Sequence, residues 1–179
     1  MLRVLTPTSG GARSIQRAIS LSGDGFRTEY TYVFRDDRVE IIRQVTFEPR
    51  RGKAPRAYVC DYSEPYVLVR FPLNDGAKWS ADHGGCRQDD PDGYPPTFLP
   101  SVFEATSAER VTLPSGESVD AIPIGYVGSR QARSGEVRVE GTRWFAPDLR
   151  LHVRHRSSTN LGAGIVASES TSILTALPA

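Results

Sequence analysis

From Phe26 onward, apolar and polar residues alternate with a period of two, the spacing of a half-buried β-strand. Arg35-Asp36-Asp37-Arg38 interrupts the first such run as a two-residue hairpin turn. Pairing about that turn sets Phe34 opposite Val39, Tyr32 opposite Ile41, Tyr30 opposite Arg43, Thr28 opposite Val45 and Phe26 opposite Phe47. The other face then receives Val33 with Glu40, Thr31 with Ile42, Glu29 with Gln44 and Arg27 with Thr46, so one side is apolar and the other wet.

Further strands are predicted at Arg56–Asp61, Tyr66–Phe71, Ser101–Leu113 and Val119–Val127. Pro123 marks the last of these as an edge or a bulge. Turns are predicted at Asn74-Asp75-Gly76 and Leu113-Pro114-Ser115-Gly116. A second hairpin runs from Glu136–Ala146 through Pro147-Asp148 into Leu149–Arg156, and Ile165–Leu177 forms a last strand. Pairing about Pro147-Asp148 puts Trp144 opposite Leu151 and Thr142 opposite Val153. The proline-rich stretch from Arg87 to Pro100 reads as an irregular excursion.

The fold class expected is all-β: a single antiparallel, mostly meander sheet of about nine strands, curled into a half-barrel or open barrel. Before it, Ile15, Ala18 and Ile19 are spaced for a helical turn or two that Gly23-Asp24-Gly25 ends. Residues 1–24 are therefore read as a flexible arm and residues 25–179 as one β-sheet domain.

Composition narrows the function classes only modestly. A chain of 179 residues holds a proper core without metal. The net charge of +1 offers no electrostatic case for a nucleic-acid partner. No apolar run reaches the roughly 20 residues of a membrane-spanning helix. The first residues, Met1 to Pro7, lack the apolar core of a signal peptide, which fits a cytoplasmic protein or a piece of a longer exported chain.

Both cysteines belong to one stretch, Cys60 to Cys86, which also holds Trp79 and the most apolar run of the chain. They are a bridge or two buried thiols, and their places at the ends of a strand–turn–strand unit favour the bridge. A bridge places the chain in an oxidising compartment. Metal binding by the cysteines with His83 and Asp82 or Asp61 lacks the two close-spaced ligand pairs of a zinc site. Asp89, Asp90 and Asp92 ahead of Gly93 miss the spacing of a helix–loop–helix calcium loop. No Gly-x-Ser-x-Gly elbow is present, and His152 and His155, three residues apart on one strand, point to opposite faces. No catalytic, cofactor or metal set is assigned, and the chain is not expected to be an enzyme.

Two surfaces carry functional interest. Arg143, Arg150, His152, Arg154 and Arg156 line one face of the second hairpin, a ladder suited to lipid headgroups, wall polymers or an acidic partner unless water or acids such as Glu140 and Glu169 screen it. Within a curled sheet, Phe26, Tyr30, Tyr32, Phe34, Ile41, Phe47, Trp79 and Trp144 would line an apolar cavity for an acyl chain.

In order along the chain come Phe71-Pro72-Leu73 with Trp79-Ser80, then Val111 to Gly116, then Trp144-Phe145-Ala146-Pro147-Asp148-Leu149. This ordered set resembles bacterial, actinobacterial-type exported and lipoprotein-like β-domains of unknown function. In them too a cysteine precedes the Phe-Pro-Leu motif and another follows the Trp-Ser. The resemblance covers roughly Tyr30 to Leu177, and one position departs: where such domains usually carry Gly after Leu149, this chain has Arg150. It implies an extracytoplasmic domain, secreted or membrane-anchored, that binds or scaffolds an envelope protein, polymer or lipid. A carrier or sensor of a lipophilic ligand is the alternative it leaves open.

Overall fold

A computed structural model of the chain describes residues 2–3, 14–21, 27–81, 86–87, 100–132, 135–160 and 166–173. Thirteen strands run through them, all paired antiparallel. They are β1 (Leu2–Arg3), β2 (Ser14–Leu21), β3 (Arg27–Phe34), β4 (Arg38–Arg50), β5 (Lys53–Arg70), β6 (Lys78–Ala81), β7 (Cys86–Arg87), β8 (Ser101–Ala105), β9 (Glu109–Thr112), β10 (Ser118–Ala132), β11 (Gly135–Ala146), β12 (Leu151–Asn160) and β13 (Val166–Ile173).

The all-β antiparallel expectation holds, but the single sheet does not. The strands form two sheets, one in the order β1-β2-β3-β4-β5-β7 and one in the order β13-β12-β11-β10-β8-β6, with β9 alongside β10. Among the described residues neither order closes into a barrel. Each is mostly a meander, because neighbours in the sheet are usually neighbours in sequence. The division falls where pairing stops being local. After β5, the short β6 crosses to β8, whereas β7 returns to β5. The chain correspondingly separates into two compact units, residues 1–71 with 82–97, and residues 72–81 with 98–179.

In the first unit, residues 14–21 are not part of an arm or a helical turn: they pair along their whole length with β3, Ser14 opposite Phe34 and Leu21 opposite Arg27. Ladder pairing with a neighbouring strand overrides the weak helical spacing of Ile15, Ala18 and Ile19. The β3–β4 hairpin keeps the predicted register near its turn, with Phe34 opposite Val39, Val33 opposite Glu40 and Tyr32 opposite Ile41. A bulge between Thr31 and Tyr32 then shifts every later pair by one, so that Tyr30 faces Gln44, Thr28 faces Thr46 and Arg27 faces Phe47. The two strands expected at Arg56–Asp61 and Tyr66–Phe71 are one strand, β5, whose pairing with β4 is itself irregular at several points.

In the second unit both predicted turns form, Ala77 N donating to Asn74 O at 3.0 Å and Gly116 N to Leu113 O at 2.9 Å. Pro123 sits where β10 changes partners on that edge, between the Ile124–Ala105 pair with β8 and the Ala121–Glu109 pair with β9. A residue with no N–H costs the ladder nothing at such a gap. The stacked pair Trp79 and Phe103, with Ala105, Ile124 and Phe145, is buried on one side of this sheet. At one end of the other side, Val111, Leu113, Ala121, Ala146 and Val153 make a smaller cluster flanked by Trp144.

Candidate functional site

The predicted register of the second hairpin is replaced by a longer turn and a bulge. Arg150 N donates to Pro147 O at 3.1 Å, closing a four-residue turn, and Ala146 faces Leu151. Phe145 faces His152, but Trp144 faces Arg154, so Val153 is the extra residue. Val153 turns into the cluster with Ala146 and Ala121, which gives the bulge its packing reason. Trp144 and Thr142 consequently face Arg154 and Arg156 rather than Leu151 and Val153.

This bulge reassigns the basic ladder. Cross-strand partners share a face, so Arg154 and Arg156 lie with Trp144 and Thr142, while Arg143 and His152 lie on the reverse side with His155 and Phe145. Arg154 covers the Trp144 ring at 4.7 Å, and Trp144 Nε1 donates to Glu109 at 2.5 Å. Arg150 is exposed at the turn with a positive φ of 52°. The five basic residues therefore do not form one surface. His152 and His155, expected on opposite faces, are brought to the same one.

On that reverse face the rings form a track. Trp79 and Phe103 stack at 5.3 Å, Phe103 lies 6.1 Å from Tyr126, Tyr126 lies 6.0 Å from His155, and Phe145 lies 5.3 Å from His152. Tyr126 Oη is hydrogen-bonded to His155 Nε2 at 2.9 Å, and the Arg143 guanidinium lies 4.9 Å above the Tyr126 ring. Both ring nitrogens of His152 are shut off from solvent without a hydrogen-bond partner, as is Trp79 Nε1. Burial, reinforced by the Arg143 charge, pushes His155 down to about 3. Burial, then Arg143, then His155 hold His152 well below the ordinary imidazole range. Two neutral imidazoles are thus kept beside a fixed cation.

The opposite, solvent-facing side of the same strands holds a trough of about 650 Å³. Its floor is Val102 on β8 and Val127 on β10, cross-strand partners 59% and 41% exposed, where an ordinary sheet face would carry polar residues. Gly125, Thr142 and Ser158 leave the centre low, and Glu104, Glu140, Arg156 and Glu169 stand around it. The carboxylates are not a bare acidic patch: Lys78 lies 3.3 Å from Glu104 and Arg138 lies 3.5 Å from Glu140.

The residues expected to line one apolar cavity are dispersed. Tyr30, Tyr32, Phe34 and Ile41 share a face of the first sheet, but the bulge places Phe47 on the other, under the Arg27 guanidinium at 5.0 Å. Trp79 and Trp144 are on opposite faces of the second sheet, because Trp79 runs through Phe103 and Tyr126 to Gly141, an odd number of residues from Trp144. Phe26 lies outside the described residues, as do His83, Asp82, Asp89, Asp90 and Asp92. Among the described residues no three His, Cys, Asp or Glu side chains converge, and no helix is long and apolar enough to cross a membrane. Cys60 is completely buried on β5, and Cys86 on β7 stands opposite Tyr62, two residues along. The side chain of Cys86 lies outside those described.

Neither the trough nor Tyr126 stands out in the alternation of apolar and polar residues. The available signal was glycine inside strand pattern, at Gly125 and Gly141, which marks close approach of other groups. Comparison with protein-family models, with curated proteins and with solved structures finds no match.

Proposed function

We propose that this chain is a non-catalytic binding module of the cell envelope and that the trough of its second sheet holds an amphiphilic small molecule. The observation that carries this reading is the pair Val102 and Val127, side by side and open to solvent at the floor of a concavity within the size range of ligand sites. An apolar chain laid over the valines would be removed from water, while Thr142, Ser158 and the surrounding charges offer hydrogen bonds to a polar head. This replaces the half-barrel interior as the place for a lipophilic ligand.

The envelope assignment rests on the resemblance and on a Cys60–Cys86 bridge, which we include in the proposal. It is supported by the burial of Cys60 and by β7 pairing Cys86 with Tyr62, two residues along β5 from Cys60. A bridge closing this loop would contribute roughly 3 kcal/mol. Thiol titration of unfolded, unreduced protein should find no free groups, and two free groups would remove the envelope assignment.

Binding is tested with the neutral lipophilic dye N-phenyl-1-naphthylamine and by native mass spectrometry of the purified chain. Placing a carboxylate on the floor, Val127→Asp or Val102→Asp, should weaken the dye at least about tenfold, since each valine contributes roughly 1.5 kcal/mol or more when fully covered. Circular dichroism should stay unchanged. Wild-type affinity in both variants would show that the trough is not the site.

A further inference from the structure

We infer that the face carrying His152 and His155 is an acid-sensitive latch: protonation of the two imidazoles opens the β11–β12 hairpin, and with it the trough on the reverse of the same strands. The bulge at Val153 puts both rings on one side of the sheet, and Gly141 leaves the gap across which Tyr126 reaches His155. A proton arriving at either nitrogen of His152 would find no acceptor there. The groups facing the pair are Arg143 and Phe145 from β11 and Tyr126 from β10, with Phe103 of β8 and Trp79 of β6 further along the track. Glu104, Glu140 and Glu169 belong to the reverse side. Asp120 on β10 shares this face, but it is largely exposed and paired with Arg110 at 3.7 Å. Among the described residues, then, no carboxylate on these strands is hydrogen-bonded to either imidazole, and the cation already present is Arg143.

Once the hairpin opens, each imidazole takes a proton at about its free value of 6.5, whereas in the closed state it stays neutral. Each group therefore raises the open population about tenfold per pH unit below that value, and the pair about a hundredfold. The conformational half of this inference stands by itself; the emptying of the trough rests on the binding reading above.

Hydrogen exchange of the β11 and β12 amides, corrected for intrinsic rates and measured from pH 7 to about 4.5, tests both halves when dye release is followed in parallel. Opening should rise about a hundredfold per pH unit in the wild type and about tenfold in His152→Leu or His155→Gln alone. It should be nearly level in the double variant. A level wild-type profile, or a double variant as steep as the wild type, overturns the latch. Opening without dye release overturns the coupling to the trough, and a dye that binds at no pH overturns the binding reading alone.

Discussion

Tyr126 and His155 are hydrogen-bonded across an intervening strand because that strand carries glycine between them. Gly141 on β11 is paired with Tyr126 on one side and Ser157 on the other. A β-carbon there would lie 2.2 Å from Arg156 O and 2.8 Å from Tyr126 Oη, closer than real contacts allow. The phenol occupies the space a side chain would need.

Gly141→Ala is expected to destabilise the second unit by about 2 kcal/mol or more, since the backbone carbonyl cannot swing away as a side chain can. Tyr126→Phe, which only leaves His155 Nε2 without its partner, should cost about 1 kcal/mol. Combining the two should not restore stability, because the carbonyl contact persists. Urea unfolding of the three variants checks this, and a double variant as stable as Tyr126→Phe alone would contradict it.

The bulges mark the border of what was legible in the chain. Where a tight turn fixes the count, as from Phe34 and Val39 to Tyr32 and Ile41, alternation gives the register correctly. One residue further, the bulge between Thr31 and Tyr32 flips the rest, and nothing in the alternation announces it. The same holds at Val153, whose placement is decided by Ala121 and Ala146 from other strands. A bulge is a tertiary compromise, so local alternation by itself puts His152 and His155 on opposite faces. Partition into two sheets was hidden for a related reason: Trp79 pairs with Phe103 and Tyr62 with Cys86, both across long stretches of chain.

Arg150 supplies a prediction in the stabilising direction. It holds a φ of 52° as the last residue of the Pro147–Arg150 turn, a left-handed conformation that costs a residue with a side chain roughly 1 kcal/mol. Glycine adopts it freely. Arg150 is exposed, so little contact is lost on replacing it. Arg150→Gly should therefore stabilise the chain by up to about 1 kcal/mol, offset in part by the freedom glycine gains in the unfolded chain. A measured loss of stability would mean that the guanidinium holds the turn.

Acid should also loosen the first unit, through Glu40. This carboxylate is 2% exposed on β4 and is bonded by Arg35 Nε at 2.7 Å and by Arg38 Nε. Burial works to raise its pKa, but the hydrogen bonds from the two guanidinium groups outweigh it and hold the carboxyl below its usual 4.5. A group whose folded pKa is depressed contributes stability above its unfolded value and loses it as pH falls through the folded one. Glu40 therefore acts only below about pH 4.5, whereas the imidazoles act from about 6.5 downward, so the two effects separate on the pH axis. Replacing both Arg35 and Arg38 by Ala leaves a buried charge alone and should cost about 3 kcal/mol at pH 7. In Glu40→Gln the loss of stability between pH 5 and 3 should be smaller than in the wild type, while the slope between pH 6.5 and 5 is unchanged. Urea midpoints across that range decide it: an unaltered profile below pH 4.5 in Glu40→Gln would show that the acid sensitivity there belongs to another group.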